Sequence, residues 1–117
     1  MVDGKLEVTQ EEVRGAQVIK VKGRMDKEDY PSIEKMIMRL YKDGKYKLVI
    51  DMRDLEYMNS LAWSVFIGNI KLMRDHKGDI RLCCMNNPVF DVFKQMDLDY
   101  LIKTYRTREE AVKSYKK

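Results

Sequence analysis

Leu48-Val49-Ile50 is an unbroken run of three strand-forming residues inside the stretch Tyr46 to Met52. A strand with one wet face alternates apolar and polar residues, whereas a continuous apolar run needs cover on both faces. The run is therefore predicted to be a central strand of a sheet that helices must cover. The acidic stretch Asp51-Met52-Arg53-Asp54 is read as its end.

The rest of the chain supplies the expected cover. Lys5 to Val13 and Ala16 to Lys22 alternate around Gly15 and predict a β-hairpin. Gly23 is expected to break the second strand, and Asp26 to Pro31 carries capping and turn residues. From Ser32 to Lys42, Ile33, Met36, Ile37, Leu40 and Tyr41 recur at three- and four-residue spacing, on one helix face, until Asp43-Gly44 closes the pattern. Leu61 to Met73 is a long apolar segment that turns polar at Arg74-Asp75-His76-Lys77 and stops at Gly78. It predicts a mostly buried helix capped by Asn59 or Ser60, hiding Val65, Phe66 and Ile70.

Beyond it, Ile80 to Cys84 reads as a fourth strand and Pro88 to Met96 as a short helix. Leu101 to Tyr105 reads as a fifth strand and Thr107 to Tyr115 as a last helix. The order β-β-α-β-α-β-α-β-α implies an α/β fold, a mixed sheet of four or five strands with right-handed crossovers and packed helices. At 117 residues the chain suits one domain, and no linker or repeat divides it.

Composition narrows the function. With 44% apolar and 36% charged residues, the chain suits a solvated globule. It shows no secretory h-region or spanning stretch, so a cytoplasmic protein without membrane insertion is expected. The net charge of +4 is spread among interleaved acids and bases. Its local excess, Arg106, Arg108, Lys113, Lys116 and Lys117, reads as a solubilising helix face and not a nucleic-acid footprint. Cys83 and Cys84 are adjacent in a strand, so their side chains should point to opposite faces and not bridge, remaining reduced thiols.

Enzyme signatures are missing from the sequence. The six glycines are scattered and form no phosphate loop. His76 is the single histidine and reads as an exposed residue at a helix C-terminus. Asp51, Asp54 and Glu56 could in principle bind magnesium or act as bases, but with no nucleophile nearby they read as solvated loop residues. No cofactor and no metal are expected.

Three segments carry a family likeness. Val49-Ile50-Asp51-Met52-Arg53-Asp54-Leu55-Glu56-Tyr57-Met58-Asn59-Ser60-Leu61-Ala62-Trp63 resembles the central signature of STAS domains of the bacterial anti-sigma factor antagonist type. There an apolar strand runs into an Asp-Leu pair and an aromatic-Met-Asp-Ser-x-Gly turn that opens a helix. Gly23-Arg24-Met25-Asp26 resembles the family's step after the second strand. Asn87-Pro88-Val89-Phe90-Asp91-Val92-Phe93 with Asp97-Leu98-Asp99 resembles its third helix and the turn that follows. The likeness runs from about Leu6 to Tyr115 and implies a single STAS-like domain over residues 1–117.

The resemblance implies a regulatory protein-binding module and not an enzyme. Its partner would be an anti-sigma factor that is also a serine kinase, opposed by a serine phosphatase, with the module itself a monomer or weak dimer. The implied contact residues are Asp26, Tyr57, Met58, Asn59, Ser60, Leu61 and Trp63, with Ser60 at the phosphorylated position. Phosphate there is expected to lie next to Asp51 and Asp54. The family's Asp is Asn59 here, its Gly is Ala62, and Trp63 replaces a small residue or Leu. These departures suit an alternative, a constitutive STAS subunit or scaffold without the switch. From the residues alone, Ser60 is equally a helix cap, and Trp63 either core or an interface anchor.

Overall fold

The computed structural model describes residues 6–115, so the Lys5 start of the first strand and Lys116 and Lys117 of the basic end lie outside the described residues. The chain runs β1 (Glu7–Val13), β2 (Ala16–Met25), α1 (Tyr30–Lys42), β3 (Lys47–Met58), α2 (Ser60–Arg74), β4 (Asp79–Cys83), α3 (Asn87–Gln95), a 3-10 turn (Leu98–Tyr100), β5 (Thr104–Tyr105) and α4 (Arg108–Lys113). This is the expected element order.

The five strands form one sheet in chain order; β1 pairs antiparallel with β2, and the other neighbours are parallel. Right-handed crossovers that always step to the next strand put their connecting helices on one face. The main core agrees with this rule. Ile19, Ile50 and Leu82 of the sheet pack with Ile37 of α1, Phe66 of α2 and Phe93 of α3. The opposite face is covered by α4, whose Ala111 and Val112 meet Ala16, Val18, Val49 and Cys83. Leu48 and Val49 are both fully buried, on opposite faces, so β3 is the central strand. Val65, Phe66 and Ile70 are buried as expected.

Four expectations about strand bounds and charges need correction. Gly23 does not end β2: with φ at 102° it sits beside a register shift, and the strand continues to Met25. β3 likewise runs to Met58, well past Met52. Lys20 and Lys22 pair with Asp51 and Asp54, and Gly23 and Arg24 with Leu55 and Tyr57, so β3 carries an extra residue at each of two bulges. Each bulge turns a two-residue repeat into three, which explains why Met52, Leu55 and Met58 are the inward positions. Tested for a period of two, that stretch looks like loop.

The third correction concerns the charges. Asp51 is a fully buried strand residue, not a solvated one, and Arg108 grips its Oδ2 from α4 through Nε at 3.0 Å and Nη2 at 2.9 Å. Arg108 also reaches Glu11 on β1, so it is a clamp across three elements and not part of a solubilising face. Fourth, the Leu101 to Tyr105 strand shrinks to Thr104–Tyr105 because the chain before it coils into the 3-10 turn.

Several ends match their sequence signals. α2 ends at Arg74, where the segment turns polar, and the turn after it passes through Lys77 at φ 66°; Gly78 follows, and a Cβ there would overlap the Tyr46 carbonyl. His76 is exposed, yet it stacks on Tyr46 with ring centroids 4.4 Å apart. Among the described residues, no helix is long and apolar enough to cross a membrane.

Candidate functional site

Because β2 and β3 are parallel and paired to their last residues, Met25 with Met58, their C-terminal ends emerge side by side. The backbone N–H of Asn59 donates to the Met25 carbonyl at 2.9 Å and fixes this junction. Asp26 is thereby brought beside Asn59 and Ser60 although 33 or more positions separate them in the chain. The ends of parallel strands, where helices begin, are where such sheets place functional groups.

The cap of α2 belongs to Asn59. Its backbone is extended and its Oδ1 accepts from Leu61 N–H at 2.7 Å. Ser60 is the first helical residue, exposed, and among the described residues its hydroxyl has no hydrogen-bond partner. Of the two roles open to Ser60, capping is thus taken by its neighbour. A free hydroxyl remains at the positive end of a 15-residue helix with no acid in its first turn.

Tyr57 and Leu61 flank this hydroxyl and are both exposed, Leu61 at 48%. The Arg24 guanidinium lies 4.5 Å from the Tyr57 ring centroid and pairs with Asp26 at 3.7 Å, so the aromatic is held in place from β2. Met58 and Trp63 do not share this surface. Met58 points inward, and Trp63, 1% exposed, packs with its ring centroid 5.6 Å from that of Phe93 and 6.4 Å from that of Phe66. Trp63 is therefore core, which decides between the two roles open to it in the sequence. Its Nε1 is buried without a hydrogen-bond partner.

Residues that the sequence reading left out enlarge the surface. A shallow pocket of about 150 Å³ lies between the end of β3 and α3, lined by Glu56, Tyr57, Met58, Trp63, Pro88, Val89 and Val92. Phe90 and Val92 of α3 and Met96, which caps it, are also exposed. The signal was present in Asn87–Gln95: Val89 and Phe93, four apart, suffice to dock the helix, so Phe90 and Val92 are apolar side chains in excess of what its core face uses.

Asp51 and Asp54 lie elsewhere. Along an extended strand, Asp54 is on the order of 15 Å and Asp51 on the order of 25 Å from Ser60, beyond a Debye length of roughly 8 Å. Asp54 is paired with Lys20 at 3.1 Å and Asp51 with Arg108. In the strand register Asp26, one residue past the Met25–Met58 pair, lies closer to Ser60 than these two.

Together these features define a class: a small mixed α/β module with an unengaged serine at the head of the helix that follows its central strand. The chain belongs to the STAS domain family, which matches residues 7–111. It is 21% identical to an anti-sigma F factor antagonist of Paenibacillus polymyxa over 108 residues, 92% of each chain. An anti-sigma factor antagonist from Mycobacterium paratuberculosis superimposes with a TM-score of 0.87 at 19% identity, covering 97% of this chain and 96% of that one. The anti-sigma factor antagonist SpoIIAA in its unphosphorylated form gives a TM-score of 0.80 at 21% identity over 92% of this chain and 95% of that one. The Bacillus SpoIIAA in its phosphorylated form gives 0.72 at 20% identity, covering 92% and 98%. The structural likenesses show a shared fold.

Proposed function

We propose that this chain is an anti-sigma factor antagonist, a cytoplasmic binding module without catalytic activity that captures an anti-sigma factor and is released when Ser60 is phosphorylated. The partner acts as the serine kinase, and a serine phosphatase restores the binding form. The observation that carries this reading is the exposed Ser60 hydroxyl, relieved of capping by Asn59 and flanked by the exposed Tyr57 and Leu61. The names of the relatives support it. Contact would run over Asp26, Tyr57, Asn59, Ser60 and Leu61 and onto Val92 of α3, with Met58 and Trp63 beneath it.

The switch follows from desolvation. A phosphoserine carries about −1.5 to −2 charges at neutral pH. In the free module the helix N-terminus and water accommodate that charge. In a complex it would have to be stripped of water between Tyr57 and Leu61 and beside Asp26, with a penalty of about 2 kcal/mol or more, at least tenfold in affinity.

Calorimetric titration of wild type, Ser60→Ala and Ser60→Asp against the anti-sigma factors of the source genome tests the reading. Ser60→Ala is expected to bind like wild type and Ser60→Asp at least about tenfold more weakly. Equal affinities for all three would leave a constitutive STAS scaffold as the better account. Magnesium-dependent nucleotide turnover that disappears in Asp51→Asn would overturn the non-enzymatic part.

A further inference from the structure

The sequence expectation that Cys83 and Cys84 face away from each other fails, and the failure has chemical content. β4 ends at Cys83, and Cys84 adopts a left-handed backbone with φ at 69° while its N–H donates to the Tyr105 carbonyl. That kink folds the second side chain back, and the two Sγ atoms lie 2.9 Å apart. A left-handed non-glycine residue costs on the order of 1 kcal/mol, and here the hydrogen bond to Tyr105 helps to hold it. Cys83 is buried, while Cys84 is half-buried and lines an open groove of about 370 Å³ with Met85, Asn87, Phe90, Thr104, Tyr105 and Arg106.

We propose that Cys83 and Cys84 form a two-sulfur capture site for a trivalent thiophilic centre of the arsenite class, entering from the groove beside Cys84. Thiol sulfur is a soft donor and selects soft acceptors. Asp51 brings a carboxylate within 4.8 Å of both sulfurs. That carboxylate is already committed, to Arg108 and to the Arg53 N–H at 3.0 Å, so it is not offered as a third ligand. Zinc is a poor fit: it wants four ligands and would have to drive two protons off buried thiols. Desolvation holds both thiols above their ordinary pKa, Cys83 far above it.

A trihydroxy centre avoids that cost. Each S–H meets one As–OH; an As–O bond breaks, an S–As bond forms, and the thiol proton leaves with the hydroxide as water. Two such condensations release two waters, change no oxidation state and add no net charge beside Asp51. The remaining hydroxyl faces the groove.

Phenylarsine oxide, which hydrates to a dihydroxy form and condenses in the same way, is the probe. Mass spectrometry of the folded full-length chain is expected to show one adduct, removed by excess dimercaptopropanol. Cys84→Ser, checked for native circular dichroism, is expected to bind roughly 100-fold more weakly, because one-point attachment replaces two. The proposal is overturned if the folded protein takes up no probe while the guanidinium-unfolded chain does. It is equally overturned if folded Cys84→Ser binds as tightly as wild type.

Discussion

Asn59 and Ser60 are chemically interchangeable as caps, and their geometry separates them. Since the Asn59 Oδ1 satisfies the Leu61 N–H, Asn59→Ala is expected to lower stability by about 1 kcal/mol, whereas Ser60→Ala should change it by a few tenths at most. Urea unfolding of the two variants checks this directly; equal losses would return the cap to Ser60. Trp63 sits one turn further on in full burial, where truncation leaves a cavity beside Phe66 and Phe93. Trp63→Ala is expected to cost about 3–5 kcal/mol. Trp63→Phe should cost less, because the Nε1 it removes has no partner to lose. Thermal unfolding of both variants orders the two effects.

At the scale of elements, the short α4 is tied to the sheet by charge as well as by the burial of Ala111 and Val112. Arg108 joins α4 to β3 through Asp51 and to β1 through Glu11. Burial opposes the guanidinium charge, but hydrogen bonding and attraction from Asp51 and Glu11 outweigh it, so the Arg108 pKa is raised. Arg108→Met would leave the Asp51 carboxylate buried with the Arg53 backbone N–H at 3.0 Å and the edge of that residue's guanidinium at 4.0 Å as its remaining partners, and is expected to cost about 3 kcal/mol. Adding Asp51→Asn removes the orphaned charge and should recover part of that loss. A double-mutant cycle in urea measures the coupling, and strictly additive losses would show that the pair is not the clamp.

Across the whole molecule, the α4 face of the sheet is closed by a second set of contacts. Asp79 is buried between Arg74 at 2.8 Å and Arg81 at 3.0 Å, and the Arg81 guanidinium covers the Tyr115 ring at 4.1 Å. The Tyr115 hydroxyl lies 2.7 Å from the Leu48 carbonyl and 2.9 Å from that of Asp79, so its proton is shared between two acceptors. Burial, followed by the nearby Asp79 charge, pushes the phenol well above its ordinary value of 10.0. Cys83 is raised from 9.0, chiefly by burial. In both cases the unfolded chain loses its proton first as pH rises, so the folded state then binds more protons and stability falls. Stability is expected to be undiminished below about pH 8.5 and to decline through the thiol and phenol ranges above it. Tyr115→Phe should shift unfolding by about 1 kcal/mol at neutral pH and flatten the decline above pH 10. An unchanged slope in denaturant midpoints measured against pH would assign the decline to other groups.

Sequence alone determined the element order, because the first helix repeats its apolar residues at three- and four-residue spacing, the second is a long apolar segment between capping residues and Gly78, and the central strand announces itself through Leu48-Val49-Ile50. It also located the turn at Asn59-Ser60, since capping residues before a long apolar segment are a local signal. What the tertiary structure decided was pairing. The bulges of β3 depend on its register with β2, so neither the strand from Met52 to Met58 nor the burial of Asp51 was visible in a two-residue repeat. Arg108 lies 57 positions from Asp51, and no local pattern marks it as that carboxylate's counterion. Asp26 joins Ser60 only because parallel strands end together, and Cys83 meets Cys84 only because a hydrogen bond to Tyr105 accompanies a left-handed turn that periodicity does not encode.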